Sequence, residues 1–227
     1  MGYFGKIKGA RNLKNKTELD IILDDDILNT LNRYHKGGNI ITEVNINDGR
    51  RITIEQRKKA YATMGDIADY LGYAPEQLKE LMKYRFCGET GEKYFSLSNC
   101  SLTTARNFIN FLIKFVIEWD IPLTDLAVNR TEDIDKYLYY CLKYRRCAIS
   151  GKSHADIHHC SGSQVGMGGN RRKIDNTGRK LIALSREWHT KVHAEGEDKI
   201  FKAYKVYGIE IDRQTLKDLG LHVKDIS

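Results

Sequence analysis

Proline is scarce in this chain, with two in 227 residues, and no internal repeat is evident. Together with a 41% hydrophobic content, that scarcity excludes a disordered tail, and the length suffices to bury a core of one to two domains. Long apolar runs are missing as well. No stretch approaches the roughly 20 apolar residues that span a bilayer. The first fifteen residues are broken by Lys6, Lys8, Arg11 and Lys14, leaving no signal-peptide core, so a cytoplasmic protein is expected. Cysteine is present but unpatterned: Cys87, Cys100, Cys141, Cys147 and Cys160 are odd in number and scattered, which fits reduced thiols better than a disulfide framework.

What is concentrated instead is histidine. Four of seven fall into two pairs, the adjacent His158 and His159, then His189 and His193 one helical turn apart. Residues four apart on a helix project from the same face, so His189 and His193 can offer two imidazole nitrogens to one cation. A third ligand from His158 would complete an open site. Neighbours on an extended segment point to opposite sides, which leaves the other histidine of the dipeptide free, with proton abstraction from water as its obvious task. His35, His154 and His222 have no comparable setting.

The local pattern reads as strand, strand, helix. Cys147, Ala148 and Ile149 lead into a turn containing Gly151, and residues 155–158 form an extended return that delivers the histidine pair. A glycine-rich loop with Arg171, Arg172 and Lys173 follows, then the apolar strand Leu181–Leu184. Ser185 is a good N-cap, Glu187 suits the first turn, and Gly196 is a plausible stop. Asp156 falls on the same side as His158, where it either orients a ligand or is solvated.

The string DIHHC followed by KLIALSREWHTKVH resembles the ββα-metal motif of HNH endonucleases over residues 144–195. The resemblance implies His159 as general base and His158, His189 and His193 as metal ligands. It also implies a single divalent ion, most often magnesium in use, and products with a 5′-phosphate and a 3′-hydroxyl. Imidazole ligands also accept zinc, nickel or manganese. Two departures stand out. Lys180 occupies the place of the family's central Asn, with Asn176 nearby as a substitute. Where many members carry paired CxxC motifs holding zinc, this chain has Cys147 with Ser150 and Ser185 with Trp188, and one thiolate cannot hold zinc.

Charge leads to the same place independently. Residues 141–193 carry eleven Lys or Arg against three acids, while the whole chain nets only +7. A polyanion is the expected partner, and Arg145, Arg146, Arg171, Arg172, Lys173 and Lys180 are the candidate DNA contacts.

The remaining sequence reads as mixed α and β. Strands are expected at 3–7, 19–23 and 39–46, and helices at 25–34, from Thr53 to Gly72, and at 75–86, 103–119 and 131–143. The stretch 87–101 is irregular and includes a small hairpin. Tyr137, Tyr140 and Tyr144 share a helical face, the signature of packing rather than of base stacking. The last segment reads as a helix, a turn at Gly208 and a short helix covering the histidine motif.

Residues 50–123 resemble the Orf/NinB family of phage recombination proteins. That resemblance implies a homodimeric module that binds single-stranded DNA and cooperates with the host single-strand binding protein. The expected architecture is α+β: a mixed α/β helical DNA-binding domain over 1–135, then a small ββα-metal domain over 136–227, joined by a rigid helix. The expected function is a metal-dependent endonuclease of phage recombination acting on single-stranded or branched DNA. The alternative is a non-catalytic single-stranded DNA mediator with a degenerate histidine site.

Overall fold

A computed structural model describes residues 5–14, 16–34, 42, 44, 49–163 and 174–224. The architecture is α+β, a set of helices with two small antiparallel two-stranded sheets.

The chain opens with a hairpin of β1 (Gly5–Leu13) and β2 (Lys16–Leu23), longer than the sequence suggests and mostly solvent-exposed. A short α1 (Leu28–Tyr34) follows. The strand expected at 39–46 lies outside the described residues. Next comes α2 (Ile54–Leu71). Thr53 caps it with a reciprocal box, its hydroxyl accepting from the Gln56 N–H while the Gln56 side chain accepts from the Thr53 N–H, both at 3.1 Å. Gly72 ends it in a left-handed conformation that a side chain would resist.

α3 (Pro75–Thr90) starts on a proline, whose missing N–H costs nothing in the first turn. It runs to Thr90, and the remainder of 87–101 is turn and coil with no hairpin, tied to the chain before α2 by an isolated bridge between Arg51 and Ser101. α4 (Leu102–Glu118) is the central helix, with Phe108, Ile109, Leu112 and Ile113 essentially buried. Phe86, Phe95, Phe108 and Phe111 pack largely edge to face around it, with centroids 5.2 to 6.2 Å apart. After it comes the single turn α5 (Ala127–Arg130). Arg130 there is buried with Asp66, N to O 2.6 Å, and Thr124 donates to the same carboxylate.

α6 (Ile134–Lys143) joins the two halves. One flank packs on α4 and the other on the strand Leu181–Leu184, and the Tyr137 hydroxyl, fully inside, donates to the Ala148 carbonyl at 2.8 Å. The buried apolar side chains before and after α6 form one continuous cluster.

The second sheet pairs β3 (Asp156–His159) with β4 (Leu181–Leu184), Asp156 opposite Leu184 and His159 opposite Leu181. Cys147 to Ser150 is a turn rather than the expected first strand. The Gly151 N–H donates to the Cys147 carbonyl and the Cys147 N–H to the Lys152 carbonyl, so the backbone groups are satisfied locally. The two strands of the ββα unit are therefore β3 and β4, paired across the long loop. After β4 come α7 (Arg186–Glu195), α8 (Glu197–Tyr204) and α9 (Arg213–Asp218). The segment between α8 and α9 returns to β4, where Leu181 and Ile209 exchange both backbone hydrogen bonds at 2.9 Å. Gly208 is needed there, because a Cβ at that position would collide with the buried Cys160 sulfur.

Asp66→Ala strands a buried guanidinium, and we expect it to lower the urea-unfolding free energy by about 3–5 kcal/mol; a loss below about 1 kcal/mol would show that the pair is dispensable.

Candidate active site

β3 sets the geometry of the site by alternation. His158 turns inward and is 3% exposed, while His159 turns to the other side of the strand. β4, wholly buried, backs it. α7 begins at Ser185, whose side chain accepts from the Trp188 N–H, and that start places His189 and His193 over His158. The ring centroids are 5.0 Å (His158 to His189), 5.1 Å (His158 to His193) and 5.0 Å (His189 to His193).

One nitrogen from each ring lies within 4.8 Å of the others. Three imidazoles bound tetrahedrally at a nitrogen–metal distance of about 2.1 Å have centroids roughly 5 Å apart, so the spacing fits a single divalent ion. The donor set fits as well, since neutral imidazoles suit zinc and nickel and three of them leave coordination positions open. Burial pushes the His158 imidazole below its ordinary pKa, outweighing the hydrogen bond to Glu197 that pulls it up. The ring is therefore neutral at pH 7, with a lone pair available. Asp156 lies 3.2 Å from His189 Nδ1 and 3.3 Å from Arg186 Nε. A carboxylate accepts, so Nδ1 of His189 carries the proton and Nε2 is left for an ion.

His159 is held separately. Its Nε2 is 2.8 Å from Asn176 Oδ1. The Asn176 amide nitrogen donates to two carbonyls, Ile174 and His222, at 2.9 Å each, which fixes the amide orientation and makes Oδ1 the atom facing the ring. Nε2 must then carry the hydrogen, and the lone pair sits on Nδ1, where it can take a proton from water. Asn176 is 2% exposed, so this brace is sheltered from solvent. Asn176 rather than Lys180 makes the contact. Lys180 lines an open cleft of about 580 Å³ with Lys136, Tyr139 and Tyr207.

The expected DNA contacts divide into three groups. Arg145 is exposed, in a left-handed turn after α6. Arg146, expected as a DNA contact, is 7% exposed and paired with Asp120, with the Gly151 carbonyl also within reach of its guanidinium. Arg171, Arg172 and Lys173 lie outside the described residues. Cys147 offers its sulfur to the Ser150 N–H at 3.4 Å, and all five cysteines are free.

Glu197 escaped the sequence reading. It stands at the start of α8, 3.2 Å from His158 Nε2, and joins His158 and Cys160 in a second cluster of donor atoms. Burial pushes the Cys160 thiol up to about 12, so without an ion beside it the thiol keeps its proton at neutral pH. The only signal was an acid directly after the stop glycine of α7.

Two antiparallel strands and a helix gather three imidazoles around a point, with a fourth braced on the far side of the strand, and so form a ββα unit whose donors could hold a metal ion. The chain belongs to the family described as "Putative HNHc nuclease", whose model matches residues 26–222 and so runs through both halves of the structure. No curated protein and no solved structure matches the chain.

Asn176→Ala removes the amide donor from the Ile174 and His222 carbonyls, of which His222 keeps the bond from the backbone N–H of residue 176. We expect a stability loss of about 1–3 kcal/mol in urea unfolding and, in long-range ¹H–¹⁵N spectra, a shift of the His159 proton from Nε2 toward Nδ1; an unchanged tautomer would remove Asn176 as the brace.

Proposed function

We propose that this protein is a metal-dependent DNA endonuclease that hydrolyses phosphodiester bonds, serving phage DNA recombination on single-stranded or branched DNA. The observation that carries the reading is the His159–Asn176 hydrogen bond together with the three-imidazole cluster, because one strand then carries both a proton acceptor of defined tautomer and a member of a cation-binding set.

Phosphodiester cleavage needs hydroxide next to an anion and relief of charge on the phosphoryl and leaving oxygens. His159 Nδ1 takes the proton from water, and the imidazolium so formed keeps its Nε2–H on Asn176 Oδ1, without ring reorientation. His158, His189 and His193 hold the ion, magnesium in use by the family resemblance. The bound divalent ion supplies positive charge to the phosphoryl and leaving oxygens. Arg145, Lys180 and the loop residues Arg171, Arg172 and Lys173 hold flanking phosphates. Arg146 stays with Asp120.

We divide the roles between residues 1–135, which find the DNA, and 136–227, which cut it. The likeness of 50–123 to Orf/NinB proteins supports this division and extends the proposal to a homodimer that works with the host single-strand binding protein. Location in the host cytoplasm belongs to the same reading. Among the described residues, no helix is long and apolar enough to cross a membrane.

Incubated with supercoiled plasmid and with forked DNA, the protein should cut only when magnesium or manganese is added, and His159→Ala should slow cutting by about 10²–10⁴-fold. Retarded but uncut DNA in every metal would instead mark a non-catalytic mediator, and full activity of the variant would remove His159 as the base.

A further inference from the structure

Glu197 makes a set of contacts that the cation-site reading does not itself require. Its carboxylate accepts from the Ser161 N–H at 2.9 and 3.1 Å and from the Ser161 hydroxyl at 3.2 Å, and it faces His158 Nε2 at 3.2 Å. The side chain is 14% exposed. It thus ties the first turn of α8 to the chain just beyond β3, and the tie passes through the buried histidine. Its partners in space are His158 and Cys160, whereas the other imidazoles cluster with His158 alone.

We infer that Glu197 is the positioning residue of His158: it fixes the ring so that Nε2–H points to the carboxylate and Nδ1 presents its lone pair to the ion. The inference rests on the reading of His158, His189 and His193 as one cation site. A carboxylate has only acceptors, so a neutral His158 facing it must carry its hydrogen on Nε2. The other nitrogen is then the only donor atom left for a cation. The same device acts on His189, where Asp156 holds Nδ1. Two of the three ligand rings are thus each held by one acid, one from β3 and one from the start of α8, and the second lies 39 positions from its histidine. Such outer partners fix the tautomer and ring angle and raise the basicity of the ligand. Glu197 also gives α8 a role in the site: the helix covering the ββα unit carries part of its coordination apparatus.

The test is titration of the metal-free full chain with Co²⁺, followed by its visible absorption, for the wild type and for Glu197→Ala, Glu197→Gln and His193→Ala. We expect His193→Ala to lose tight binding. Glu197→Ala should weaken it about 10- to 100-fold while leaving the saturated spectrum unchanged, and Glu197→Gln, whose amide oxygen still accepts from Nε2–H, should recover most of the loss. Wild-type affinity in Glu197→Ala would overturn the inference, as would a changed saturated spectrum, which would make Glu197 a ligand in its own right. If His193→Ala binds like the wild type, the cation site itself is wrong and the role of Glu197 falls with it. A folding failure of Glu197→Ala leaves the question open to the metal-free wild type. Long-range ¹H–¹⁵N correlation should there place the His158 proton on Nε2, and a proton on Nδ1 would overturn the inference.

Discussion

Three imidazoles can share one cation only if three lone pairs point at the same place, and each ring is a two-ended group whose far nitrogen needs a partner of its own. That requirement organises the second half of the molecule. His189 reaches Asp156 through Nδ1, His158 reaches Glu197 through Nε2, and burial keeps His158 uncharged. His159 obeys the same logic, its Nε2 turned to an amide oxygen so that the lone pair is left on Nδ1. Side-chain alternation along β3 separates the two histidines, since neighbouring side chains on a strand point to opposite faces.

Holding those rings demands a stiff frame, and the frame extends well beyond the ββα unit. β4 is buried along its whole length, bounded by β3 on one edge and by the bridge to Ile209 on the other. α6 packs on β4 and on α4, so the aromatic core around Phe86 and Phe108 is continuous with the floor of the site. The chain beyond α9 closes the other side, where the His222 carbonyl receives two hydrogen bonds from Asn176. A family match spanning 26–222 suits a frame in which distant segments contribute to a single site.

The helical pair His189 and His193 was legible because a four-residue spacing has one meaning on a helix, and Ser185 and Gly196 marked where that helix begins and ends. Asn176 was legible only as a neighbour of the expected position; its two carbonyl contacts, one to the far C-terminal segment, decide its orientation. Cys147, Ala148 and Ile149 read as a strand because short apolar runs look alike, yet they are buried in a turn. Arg145 and Arg146 read alike as a basic pair, and only the fold shows that one is turned to solvent and the other paired with Asp120. Glu197 could not be found from spacing at all, since no local pattern links an acid at a helix start to a histidine 39 residues earlier.

The central claim is that three imidazoles bind one cation. Crystals of the full chain soaked in Mn²⁺ or Ni²⁺ and measured at an anomalous wavelength should show one strong peak about 2 Å from a nitrogen of each of His158, His189 and His193. A peak elsewhere, or none with the three rings still converging, would contradict it.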